Sequence, residues 1–522
     1  MAQIIAAEIV VYDPSLSGGA GGTKTLYYAT QGYVTAPSDT PANTFYEGRI
    51  KQPANTSRRC FAGGATSGRT QIGFGELVLV NNDGGLDSLL NYSFAGRNIL
   101  IKLGEVKANS AGVATWTTLI NGTMEQAELS WSTVIIRVRD RQQDVAKPHQ
   151  SVKYGGTNSL PNGIDGVAGD LAGMPKPKVY GQVFNLSLPC VNTARQIYQA
   201  HDGSALQSVD GVYDRGAPLT AGSVASSQSD LETTAPSAGQ YRVWNSAAGC
   251  YIRLGSAPGG TVTADLTQGA ATANRTAAQL FKQVLLDAGV SSGNISSSDI
   301  TALDALAPYA CGYALNHYAT NSTLEILDAI ANSVGAYFAP DATGVWRIAQ
   351  MSLPAASPIG LINATDVIAI DRIASVDAGV GIPSYKVRLN YKKNLTVQND
   401  LTSAVTLARK GLIEQQWRTI EVTDASVLTA NATSPVIEFD SYLVSATDAT
   451  AEANRRLTLY KTRRDFYRVK IRIDKALASV IDLGKCITLQ LNRFAMSSGK
   501  NFLIIGITTD MRGYLFELTL WG

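Results

Sequence analysis

Alternation with a period of two runs through both ends of the chain. In "STVIIRVRD" the residues Val134, Ile136 and Val138 point one way and Arg137 and Arg139 the other. In "SYKVRLNYKKN" Tyr385, Val387, Leu389 and Tyr391 alternate with Lys386, Arg388 and Lys392. Such a pattern predicts strands with one buried and one wet or partner-facing side. Similar short runs, "EIVVY", "TLYYAT", "NILIKLG" and "TWTTLING", are parted by Gly/Ser/Asn turns, at spacings that suit a small barrel or sandwich over residues 1–150.

The pattern then changes in steps. Residues 151–177, rich in Gly, Pro, Asn and Lys, read as a linker. A β-rich unit is expected over 178–270, with the polar stretch from Thr220 to Gly239 as an exposed excursion. Over 271–355 the period becomes helical. Thr276 and Gln279 are expected to form a capping box ahead of the apolar stripe Leu280, Phe281, Val284, Leu285 and Ala288, which Gly289 ends; Ser322 and Glu325 are expected to cap a second helix with Leu324, Leu327, Ile330, Ala331 and Val334 on one face. The Pro-Asp-Ala-Thr-Gly turn after Tyr337 predicts a hairpin, which completes an α+β domain. Residues 356–522 return to strands, with one helix N-capped by Asp448.

Composition narrows the classes. The chain has 522 residues, so several domains are expected. Only 16% of residues are charged, against roughly 25% in an average soluble protein, which suits turn-rich β-structure and surfaces covered by other subunits. A net charge of +2 supplies no global attraction to nucleic acid or an anionic membrane. Cys60, Cys190, Cys250, Cys311 and Cys486 are isolated and odd in number; this predicts reduced, buried thiols in a chain folded in cytoplasm, not a disulfide framework or a metal site. The N-terminal apolar run, broken by Glu8 and preceded by no cation, reads as a first strand.

Candidate chemistry is sparse. "GELVLVNNDGGLDSLL", Gly75 to Leu90, has the composition of a calcium loop, yet from Asn81 the sixth and twelfth positions are Leu86 and Tyr92, and from Asp83 they are Ser88 and Phe94. Neither register supplies the required Gly and Glu, and no phosphate-cradle lysine follows, so a turn is expected. His149, His201 and His317 lie in separate segments without a metallopeptidase or nucleophile-elbow motif. No catalytic residue, metal or cofactor is assigned. Within the basic run Arg455 to Lys475, Tyr467, Val469, Ile471 and Ile473 are expected to face a core while Arg468, Lys470 and Arg472 form a stripe able to contact an acidic partner, another subunit or phosphate. Tyr241, Trp244 and Tyr251 are candidates for glycan stacking, with core packing as the competing role.

"GELVLVNNDGGLDSLL" followed by "AGRNILIKLG", then "VTADLTQG", and finally "IDLGKCITLQLNRFAMSSGKNFLIIGITTDMRGYLFELTLWG" together resemble the hub proteins of tailed-bacteriophage baseplates and tail tips, including those of gene transfer agents. The resemblance covers most of the chain and is strongest at its ends. It implies a mainly β fold with a smaller α+β part, in which 1–150 and 356–522 are two quasi-equivalent β-barrel hub domains and the rest is inserted. It further implies a virion protein at the distal end of the tail: a homotrimeric ring whose six barrels match a six-fold distal tail ring to a three-fold tip. The partners implied are the distal tail protein, the tape-measure protein, a central tip or fibre protein, side fibres or receptor-binding proteins, and DNA in transit. The alternative class is a carbohydrate-binding adhesin or tail-associated glycan hydrolase; a nucleic-acid-binding protein is a third.

Overall fold

The computed structural model describes residues 2–60, 67–106, 113–341, 343–374, 381–472, 480–510 and 515–522. It is mainly β, 42% strand and 17% helix, in several separate sheets. The N-terminal sheet is built around the strand Ala2–Asp13, which pairs antiparallel with Gly22–Ala29 on one side and Asn98–Val106 on the other. Val113–Met124, Thr133–Arg139 and Glu76–Val80 continue it outward. Val134, Ile136 and Val138 are buried, with Arg137 and Arg139 exposed, so the period-two pattern sets the face as expected. Ile9, Val11, Leu77, Ile99 and Ile101 join them in one core.

The C-terminal sheet orders Leu361–Asn363, Cys486–Leu491, Met496–Asp510, Leu515–Trp521, Phe466–Arg472 and Val367–Ile373. Closing a barrel requires hydrogen bonds between first and last strands. Among the described residues neither end sheet has that pairing, so the two expected barrels are open sheets here.

One excursion crosses between the ends of the chain. Thr56–Arg59 pairs antiparallel with Met496–Asp510, from Arg59 opposite Gly506 to Thr56 opposite Thr509, and Gln71–Phe74 pairs on its outer side. The Thr56 and Thr509 hydroxyls are 2.8 Å apart, and Arg58 meets Asp482 at 2.5 Å. Gly68–Arg69 then adds to the hairpin Ala336–Pro340 and Trp346–Gln350, where Arg69 is bound by Asp328. This hairpin matches the turn expected after Tyr337.

Between the ends, two five-stranded sheets pack as a sandwich over Val183, Ala200, Val212, Ile252 and Leu266. Residues 151–177 carry no named strand or helix, but Tyr154 and Leu171 are buried against Val191, Ile197, Leu231 and Tyr251. The polar stretch from Thr220 to Gly239 is mostly exposed, as expected, but it is anchored at Ala225, Leu231 and Glu232, which are buried. It forms the helix Gln228–Thr233, capped by Ser227, which buries Leu231 completely, and Asp230 grips Arg242 at 3.0 Å. Arg242 also donates to the carbonyls of Ser223, Val224 and Thr234, which ties the stretch on both sides of the helix to the strand Gln240–Ser246.

Helices Ala277–Asp287, Ser297–Leu306, Thr323–Ser333 and Ala446–Tyr460 surround Phe281, Leu285, Ile330, Phe338 and Leu389. Thr276 and Ser322 cap as expected, and Glu325 completes the reciprocal box at 2.7 Å, whereas Gln279 does not close the box expected with Thr276, because its side chain donates to Asp304 at 2.6 Å. The last helix is capped by Ser445, not Asp448: Ser445 is the first side chain able to accept from an orphan amide, which leaves Asp448 in the first turn. Among the described residues no helix is long and apolar enough to cross a membrane. The five thiols are unpaired, four buried and Cys190 half-buried.

Lys178–Ser187 and Gly312–Leu315 approach so closely at Gly181 and Gly312, which face each other in register, that a Cβ on Gly312 would lie 1.6 Å from the Gln182 carbonyl oxygen. Gly312→Ala is expected to cost about 1–3 kcal/mol, because backbone must shift to admit the methyl. A lower urea midpoint with unchanged slope checks this.

Candidate functional site

The basic stripe lies where the sequence pattern sets it. Along Phe466–Arg472, Tyr467, Val469 and Ile471 are buried while Arg468, Lys470 and Arg472 are exposed; Ile473 lies outside the described residues. Register adds what sequence spacing could not. Arg468 sits opposite Asp371 on one neighbouring strand and Thr519 on the other, and Lys470 sits opposite Glu517. Arg468 Nε reaches Glu517 Oε1 at 3.4 Å. The face therefore combines three cations with two carboxylates, a mixed surface and not a purely basic one. Arg455 and Arg456, from the same run, do not belong to it: they are turned inward on the helix Ala446–Tyr460 and held by the fully buried Glu452 at 2.8 and 2.6 Å.

At the start of that strand, on its other side, is a shallow, open cleft lined by Arg372, Arg463, Asp465, Tyr467 and Phe494. Asp465 Oδ1 accepts from Arg372 at 2.8 and 3.1 Å, and its Oδ2 from Lys500 at 3.1 Å. Burial pushes this carboxyl up, but the two cations outweigh burial and hold it below 3.8, so it stays ionised. Phe494 is 40% exposed, with its ring 5.6 Å from Tyr467 and the Arg493 guanidinium 5.4 Å from its centre. It occupies a two-residue turn with Ala495, both left-handed at φ 56° and 57°. Asn or Gly adopts this conformation readily, whereas an ordinary side chain costs roughly 1–2 kcal/mol. An exposed aromatic ring retained on a strained turn marks the cleft as a functional candidate. Sequence reading missed it because its lining comes from three distant segments. The one local signal was an apolar Phe in the turn "NRFA".

The other sequence candidates separate. Tyr241 and Tyr251 are buried, in two different clusters. Trp244 stacks on Tyr251, with centroids 5.4 Å apart and planes at 22°, so the three rings form no open stacking platform. Loop 81–87 is fastened by its own groups: Asn81 accepts from the Leu86 amide at 2.8 Å and donates to Asp87 at 2.9 Å. Asp83 binds Arg49 at 2.5 Å and is held down to about 2 by that guanidinium and then by the Gly85 amide. No group of three or more His, Cys, Asp or Glu side chains placed to hold a metal occurs among the described residues.

Two histidines serve as internal connectors. Tyr180 donates to Asp287 at 2.7 Å, so its single proton is used and His149 Nε2, 2.6 Å away, must be a donor; His149 Nδ1 accepts from Thr323 at 3.0 Å. His201 Nδ1 accepts from the Val179 amide at 2.9 Å and Nε2 faces Ser204 at 2.8 Å. Burial, above all, pushes both imidazoles down to about 4.

No family model matches the chain, and neither does any curated protein. Among solved structures it is similar to the 43 kDa tail protein of prophage MuSo2 from Shewanella oneidensis, at 9% identity and TM-score 0.40, covering 100% of this chain and 98% of that one. The tail protein from Neisseria meningitidis MC58 gives 9% identity and TM-score 0.38, covering 100% and 97%. A chain of the virion of a native gene transfer agent gives 12% identity and TM-score 0.42, covering 67% and 85%. Likenesses this shallow carry no argument about mechanism.

Proposed function

We propose that the chain is a structural protein of a phage-type tail, the hub of a baseplate or tail tip, without catalysis of its own. Three copies form a ring, with residues 1–150 and 356–522 as paired, barrel-like units, so that six units meet a six-fold distal tail ring and three chains meet a three-fold tip. The channel passes tape-measure protein and DNA, and residues 178–270 form a peripheral domain that docks side fibres or binds glycan. The observation that carries this reading is the strand Thr56–Arg59, contributed by the N-terminal region to the C-terminal sheet. A chain that supplies two positions of a six-unit ring needs its two β-units held in fixed relation, and hydrogen bonding one into the other's sheet does that. The depleted charge of the chain suits permanent interfaces.

The test is native mass. The purified full chain is expected at three times its 55.3 kDa, and to bind a six-fold distal tail ring. A monomer that ignores such a ring and releases reducing sugar from bacterial envelope would overturn the reading in favour of the hydrolase.

A further inference from the structure

Trp131 is 96% exposed, at the tip of the turn between Glu128–Leu129 and Thr133–Arg139. The turn is rigid. Ser130 N donates to the Thr133 carbonyl at 2.8 Å, Thr133 N donates to Ser130 Oγ at 3.1 Å, and the two hydroxyls are 2.7 Å apart. Its flank is tied to the neighbouring loop by Asn81 N, which donates to the Ser132 carbonyl at 2.8 Å. An indole presented on a preorganised hairpin has the character of a binding anchor, since Trp leads the residue types on which interface energy concentrates. The same chain carries a counterpart: the shallow, open depression with exposed Phe494, seated on the buried Tyr467, and the guanidinium groups of Arg372 and Arg463. Aromatic edges and guanidinium planes both favour contact with an indole face.

We infer that Trp131 of one copy docks in the Phe494 cleft of a second copy. Two observations favour a second copy over an unrelated partner. Knob and cleft lie on different sheets of one chain, which is the arrangement of a heterologous, ring-forming contact. Their surroundings are also opposite in charge. Around the hairpin Glu76, Glu125 and Glu128 outnumber Arg137 and Arg139. Around the cleft Arg372 and Lys500 are paired with Asp465, and Arg463 and Arg493 add two further cations, so among the described lining residues positive charge is in excess. The inference deepens the ring reading above and rests on it.

The experiment is sedimentation of the full chain across the micromolar range, with circular dichroism as the folding control. Trp131→Ala and Phe494→Gly, the latter suited to the local φ, are each expected to weaken self-association by at least about tenfold, the scale of a lost anchor. A mixture of the two variants is expected to form pairs, because the first keeps the cleft and the second keeps the indole. Trimers that persist in both folded variants would overturn the docking and leave the ring standing. A wild-type chain that is monomeric throughout would overturn both. Loss of liposome binding in Trp131→Ala without any change in self-association would assign the indole to a membrane surface, and this too overturns the docking.

Discussion

Glu452→Ala is expected to destabilise the helical part of the protein by about 3–5 kcal/mol, the cost of leaving buried cations without their counter-charge. Glu452 is fully buried and receives Arg456 Nε at 2.6 Å and Arg455 Nη2 at 2.8 Å. Those guanidinium groups reach on to the carbonyls of Asn332, Val334 and Met351, and Arg456 lies 4.2 Å from the centre of the Phe439 ring. The carboxylate therefore neutralises a pair of donors that satisfy the open C-terminal end of the helix Thr323–Ser333. Burial raises the Glu452 pKa, but the two arginines outweigh it and the net direction is downward from 4.5. A depressed carboxyl contributes stability above its unfolded value and loses it as pH falls through the folded one. The gap between wild type and variant should accordingly be full at neutral pH and shrink below about 4.5. Denaturant midpoints at pH 7 and pH 3.5 measure it, and equal gaps at both would refute the assignment.

The second large effect belongs to the imidazoles. His149 and His201 are 9% and 2% exposed and fall to about 4 from the ordinary 6.5. Between those values the unfolded chain binds protons that the folded chain refuses, so stability falls as pH drops from about 6.5 to 4 and levels off below. Each shift amounts to about 3 kcal/mol. Asp140 works in the opposite direction, since burial raises it to about 6, and the raw profile mixes the two effects. His149→Gln separates them: its amide can donate to Tyr180 but does not titrate. Its loss of stability between pH 7 and pH 4 is expected to be smaller than that of wild type by about 3 kcal/mol. Superimposable profiles would show that His149 is not held neutral.

What could be read in advance followed the locality of the signal. Val134, Ile136 and Val138 had to share a face, because a strand reverses its side at every residue, and Ser322 with Glu325 announced a helix start within four residues. Ser297–Leu306 passed unnoticed, since only Ile300 and Leu303 are buried by it and its first turn is serine-rich. The helix Gln228–Thr233 depends on Arg242, which lies outside the stretch. The candidate site divides in the same way. Arg468, Lys470 and Arg472 were visible as alternation on one strand. The carboxylates opposite them, and the cleft assembled from residues near 372, 465 and 494, exist through pairing alone.

The strand Thr56–Arg59 also bears on synthesis. Thr56 bonds to Thr509, 453 residues later. At roughly 5–20 residues per second, translation leaves that edge without its partner for tens of seconds at least. The N-terminal core and the pairing with Gln71–Phe74 can form early, but the other edge of the excursion must wait open until nearly the whole chain has emerged. Expression of a truncated N-terminal part should thus present a bare, pairing-competent β-edge, the kind of surface that aggregates or recruits a chaperone.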